Sequence, residues 1–147
     1  MKDKVIETKN IALKVSASDW IEAIKLAGKL LYKNKYIKKR YIDDMISAVK
    51  ELGPYIVLAP GIAFAHSRPD SGVIKTGISM ITLKKPVKFG NKDNDPVNIV
   101  FAIAAKDNSS HVNMLKKLSS FLDSDQNIDF LKNENNSKNI AEKINNY

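Results

Sequence analysis

Apolar positions along this chain recur at two spacings, and the switches between them outline its elements. Residues 4–15 alternate loosely, with Val5, Ile6, Ile11, Leu13 and Val15 apolar, which favours β structure. From Trp20 the period lengthens. Trp20, Ala23, Ile24, Ala27, Leu30 and Leu31 fall three or four residues apart, which predicts an amphipathic helix over residues 19–33, with Ser16 and Ser18 as candidate N-caps. Ile42, Met45, Ile46 and Val49 predict a second helix over residues 41–50, stopped by Gly53 and Pro54.

The next stretch is mostly strand. Residues 55–58 and 62–65 are short apolar runs separated by Pro60 and Gly61, and they read as buried strands with a break between them. Residues 67–72 are rich in turn formers. Residues 77–83 form another strand, and residues 84–95 a polar connection. Residues 97–105 are almost continuously apolar, the pattern of a strand covered on both faces and therefore central in its sheet. Asp107, Asn108, Ser109 and Ser110 then lead into a helix carrying Val112, Leu115, Leu118, Phe121 and Leu122. Two short helices follow, anchored by Phe130, Leu131, Ile140 and Ile144. Interleaved strands and helices make the class α/β, with a buried sheet and helices packed on it.

Composition narrows the functions. The 147 residues, 44% of them hydrophobic, read as one domain over 1–147 with a real core. No apolar run is long enough to span a bilayer, and charged residues interrupt every apolar stretch near the N-terminus, so the sequence reads as cytoplasmic with no direct membrane insertion. Cysteine is absent, which removes thiolate chemistry from this chain and assigns any such chemistry to a partner. The net charge of +8 raises a polyanion as partner. The lysines are scattered, however, with no interleaved aromatics and no paired zinc ligands, so the reading is a solvated basic surface and no nucleic acid.

Two histidines occur, His66 and His111. Each follows a buried strand at its C-terminal end, the edge where open α/β sheets hold ligands, so the two rings are expected in one cleft. His66 follows small and apolar residues and precedes Ser67 and Arg68. It reads either as a histidine closing a strand or as a nucleophile, since a neutral imidazole is available near its reference pKa of about 6.5. His111 opens a helix, where free N–H groups favour an anion such as phosphate; the alternative is a surface residue of the first turn. Asp70 and Asp107 are weak metal candidates, and no metal-ligand spacing, phosphate-binding loop or hydrolase motif is present.

The run Gly61-Ile62-Ala63-Phe64-Ala65-His66 resembles the G-[IV]-A-[LIV]-P-H signature of phosphotransferase system enzyme IIA domains of the mannitol/fructose type, type 2. Gly72-Val73, the strand over 77–83, Pro86-Val87-Lys88-Phe89, Asp95-Pro96-Val97, the strand from Ile99, and then Asp107, His111, Leu115 and Leu118 extend the likeness over residues 19–131. Trp20 and the stretch from Gly53 to Pro69 look most like the ascorbate-type branch. The resemblance implies a single domain with a central mixed β-sheet flanked by helices. It implies a phosphoryl carrier that accepts phosphate from the phosphocarrier HPr on His66 and passes it to a cysteine of enzyme IIB, and through that to a membrane enzyme IIC, for ascorbate or a related sugar or polyol. His111 would donate a hydrogen bond to the phosphoryl oxygens, and no cofactor or metal is implied. A regulatory relative of the same fold, acting as a phosphorylation sensor, is the alternative. Three departures stand out: Ala65 where the signature has proline; Ala48, Val49 and Lys50 where mannitol-type members carry an arginine on the preceding helix; and the strong positive charge. Arg68 and Lys50 are the candidates to replace the arginine, and the lysines are expected to lie mostly away from His66.

Overall fold

The computed structural model describes residues 4–107, 109 and 112–147. Among these, five strands form one mixed sheet in the order β1-β4-β5-β3-β2. They are β1 (Ile11–Val15), β2 (Val57–Ala59), β3 (Ile62–Ala65), β4 (Gly77–Val87) and β5 (Val97–Ala104). β1 runs parallel to β4 and β3 parallel to β5, while the β4–β5 and β2–β3 pairs are antiparallel. The helices are α1 (Trp20–Lys33), α2 (Lys39–Leu52), α3 (Val112–Leu122), α4 (Asp125–Asn133) and α5 (Ser137–Asn145).

β5 occupies the centre, as its unbroken apolar run requires. Val100, Ala102 and Ala104 face a core shared with α1 and α2, whereas Ile99, Phe101 and Ile103 face a second core shared with α3, α4 and α5. Burial of a large apolar side chain such as Phe101 is worth roughly 1.5–3 kcal/mol, so an edge position would forfeit much of the folding free energy. Gly77 starts β4 against the ring of Tyr36, where an added Cβ would lie 2.3 Å from ring carbons, so no larger residue fits.

Several expectations shift. α1 is capped by Asp19 rather than Ser16 or Ser18: Asp19 Oδ1 accepts from Glu22 N–H at 2.8 Å, and Glu22 Oε1 accepts from Ser18 N–H at 3.1 Å. The strand expected over residues 55–58 is displaced to β2, because Tyr55 N–H bonds Gly53 O and Val57 N–H bonds Pro54 O in a turn, although Ile56 O still accepts from Phe64 N–H of β3 at 2.9 Å. The first strand begins only at Ile11. Val5 and Ile6 are buried all the same, held by the Asn145 side chain, which accepts from both of their N–H groups and donates to Ile6 O. β4 runs on to Val87 through the polar Lys84 and Lys85, and Val112 is exposed rather than inward.

Candidate functional site

β3 delivers His66. Its four residues pair in register with β5, ending at Ala65 opposite Ala102, and Phe64 stacks on Phe101 with centroids 5.3 Å apart. The strand is entered through Gly61, whose φ of +78° and whose closeness to Asn98 (2.8 Å from a would-be Cβ) demand glycine. His66 stands at the C-terminal end of this strand, half-buried. Its Nδ1 lies 2.8 Å from Phe64 O. A carbonyl only accepts, so this bond places the ring proton on Nδ1 and leaves the lone pair on Nε2. The ring is also met edge-on by Tyr55, with centroids 5.8 Å apart.

The chain just beyond His66 is tied down by Tyr41 from the first turn of α2. Ser67 N–H donates to the Tyr41 hydroxyl at 2.9 Å, and that hydroxyl donates to Ile103 O at 2.6 Å. Tyr41 is fully buried, and burial pushes its phenol up to about 12, partly offset by the Ser67 hydrogen bond. The hydroxyl therefore keeps its proton at physiological pH.

Two cavities meet at His66. One, of about 610 Å³, is mostly apolar and bounded by Leu58, Ile62, Phe64, Ile103, Ala105, Leu115 and Leu118. The other, of about 540 Å³, has a mixed wall that carries the polar side chains of Asp44, Ser47, Glu51, Tyr55, Arg68 and Ser71. Leu52, Tyr55 and Leu58 line these cavities and are solvent-exposed, which gives His66 an apolar rim. Among the described residues no lysine lines either cavity.

The structure thus brings together His66 and Arg68, but Lys50 takes no part in the cavity linings. Arg68 is 84% exposed, and its Nε lies 3.8 Å from Asp70 Oδ1. Lys38 and Arg40 pack against Gly72 in the connection that follows His66. His111, together with Asn108 and Ser110, lies outside the described residues. Asp107 accepts from Ser109 N–H at 3.0 Å, and Lys106 N–H bonds Thr76 at the same sheet end as His66. Among the described residues no group of three or more histidine, cysteine or acidic side chains could hold a metal ion. Also among them, no helix is long and apolar enough to cross a membrane. Sequence reasoning did not single out Tyr41, Tyr55, Asp44 or Glu51. Tyr41 acts on Ser67 and Ile103, 26 and 62 residues away, and nothing local signals such contacts.

A family model described as the phosphoenolpyruvate-dependent sugar phosphotransferase system, EIIA 2, matches residues 4–147. The chain belongs to this EIIA family. It is 38% identical over 133 residues to the ascorbate-specific PTS system EIIA component of Escherichia coli K12, covering 90% of this chain and 86% of that one. The solution structure of the mannitol-specific cryptic phosphotransferase enzyme IIA CmtB of Escherichia coli superposes with a TM-score of 0.83 at 32% identity, over 96% and 95% of the two chains. Mannitol enzyme IIA of Escherichia coli, solved in complex with phosphorylated mannitol enzyme IIB, gives a TM-score of 0.84 at 27% identity, over 97% and 98%. This EIIA protein is accordingly a phosphotransferase component, a phosphoryl carrier in a sugar phosphotransferase system, and the regulatory alternative is not favoured.

Proposed function

We propose that His66 carries the phosphoryl group on Nε2, taking it from phospho-HPr and giving it to a cysteine of an enzyme IIB, which hands it to substrate at a membrane enzyme IIC. The 2.8 Å bond from Nδ1–H to Phe64 O is the observation that carries this reading, because it leaves Nε2 as the nucleophilic nitrogen, with no hydrogen-bond partner among the described residues. In the first transfer the Nε2 lone pair attacks phosphorus, and the donor's N–P bond breaks with its electron pair returning to the donor imidazole. In the second a cysteine thiolate attacks, the Nε2–P bond breaks, and His66 regains its lone pair. When Nε2 bonds phosphorus the ring becomes cationic, and Phe64 O then accepts a charge-assisted bond. Phosphoryl transfer of this kind rests on positioning and on stabilising charge over the equatorial oxygens.

His111 assists by donating to those oxygens. In support, Ala105 and Leu115, on either side of it in sequence, both line the apolar cavity at His66. The likeness to ascorbate-specific EIIA components makes ascorbate or a related sugar acid the transported substrate class, and the site of action is the cytoplasm. The experiment is to incubate the protein with enzyme I, HPr and phosphoenolpyruvate and measure its mass. Wild type gains one phosphoryl group and His66→Ala gains none. His111→Ala still gains it but delivers it to enzyme IIB roughly 100- to 1,000-fold more slowly, the usual loss of one transition-state donor. Phosphate retained on folded His66→Ala protein would remove the assignment.

A further inference from the structure

We propose that the Tyr41 hydroxyl is a spacer inserted into the last rung of the β3–β5 ladder, and that it positions the imidazole of His66 for phosphoryl transfer. The inference rests on His66 being the carrier. The parallel ladder starts where Ile99 N–H donates to Gly61 O, and its register runs from Ile62 opposite Ile99 to Ala65 opposite Ala102. Stepping two residues along each strand brings Ser67 N–H opposite Ile103 O. That rung is not closed directly. Ser67 N–H donates instead to Tyr41 Oη at 2.9 Å, and Tyr41 Oη donates to Ile103 O at 2.6 Å. A backbone rung normally spans about 2.9 Å from nitrogen to oxygen, so the interposed hydroxyl holds the strands apart where His66 leaves the sheet.

This splay has two consequences. The apolar cavity opens at the same place, with Tyr41, His66, Ser67 and Ile103 all in its wall. The backbone at Ser67 is fixed although it lies beyond the strand, so His66 is held on one side by Tyr41 through Ser67 and on the other by its bond to Phe64 O. Both buried backbone groups are satisfied by one hydroxyl that donates once and accepts once, which phenylalanine cannot reproduce. Without the spacer, Ser67 N–H and Ile103 O are left to close on each other. That closure turns His66 back toward the sheet and narrows the cavity mouth.

The test is Tyr41→Phe in the full-length protein. Phosphate uptake from phospho-HPr should fall about 10- to 100-fold at saturating donor with KM unchanged, the scale of loss expected for a small misplacement of a reacting group. The imidazole nitrogen chemical shifts of His66 should move from a single Nδ1–H tautomer to a mixture. Ser79→Ala serves as control. It removes another buried hydroxyl-to-carbonyl bond, Ser79 Oγ to Ala27 O at 2.6 Å, which touches neither His66 nor Ser67, and should lower stability while leaving both readouts unchanged. A Tyr41→Phe protein with wild-type transfer or wild-type tautomer overturns the proposal, as does a Ser79→Ala protein slowed equally. If Tyr41→Phe does not fold, hydrogen exchange on the unaltered protein decides. The Ser67 amide should exchange as slowly as the amides of β5, and rapid exchange there overturns the spacer. Failure of the carrier reading looks different: phosphate would then persist on His66→Ala, whatever happens at Tyr41.

Discussion

A histidine ring offers two nitrogens to a phosphorus, and in this fold one of them is already engaged. Phe64 O takes the Nδ1 proton of His66 across only two residues, so the tautomer is decided within β3 and the turn that follows it. Tyr41 gives the residue scale a pH signature. Its phenol is moved from the ordinary value near 10 to about 12, first by burial, with the Ser67 hydrogen bond opposing the shift. A raised acid constant means the folded state favours the protonated phenol. The corresponding stability is fully present below the unfolded value of about 10 and is lost as pH rises through 12. Phenolate absorbance in wild type should therefore show a late step near pH 12, and Tyr41→Phe should lack it. A titration complete well before that pH in wild type would contradict the burial argument.

Among the elements, the position of His66, the proposed carrier, depends on how β3 is entered and how α1 is held. Gly61 sits at φ +78° with Asn98 Oδ1 beside it, and the same residue anchors β5 through Asn98 N–H and Ile99 N–H, which both donate to Gly61 O. Gly61→Ala should destabilise the protein by about 1–3 kcal/mol through left-handed strain and the contact with Asn98, read as a lowered denaturation midpoint. Asp19→Ala removes the α1 cap and should cost about 1 kcal/mol, measurable by urea unfolding, without altering phosphate uptake. The two substitutions separate an element that carries His66 from one that only supports the sheet behind it.

For the whole molecule the governing feature is an apolar rim around one reactive ring on a basic protein. Leu58 is 65% exposed and Leu52 69%, and together with Tyr55 they surround His66, while among the described residues no lysine enters either cavity wall. Lys9–Glu7 and Arg68–Asp70 form ion pairs at 3.3 and 3.8 Å, and since a pair takes one charge of each sign the net +8 stays uncompensated within the chain. A surface of this kind fits a partner that buries apolar area over His66. Leu58→Asp should weaken binding to the proposed enzyme IIB acceptor about tenfold or more, as measured by calorimetry, with the fold intact because the side chain is already in water. Unchanged affinity would move the docking face elsewhere.

Local periodicity and composition encode the elements and their buried faces. The nine-residue apolar run around Phe101 required a strand covered on both faces, and β5 is central. The spacing of Ile42, Met45, Ile46 and Val49 defined the buried stripe of α2, and the signature ending in His66 pointed to the proposed carrier. The cap at Asp19 and the turn at Gly53–Val57 were among the local features misjudged, because several polar residues near a helix start compete on equal terms and a short apolar run does not say whether it pairs. Only the tertiary structure decided the rest. Which hydroxyl stands between Ser67 and Ile103 depends on contacts between α2, β3 and β5. Those contacts join residues far apart in the chain, and no period or motif along the chain records a distance that exists only after the sheet has closed.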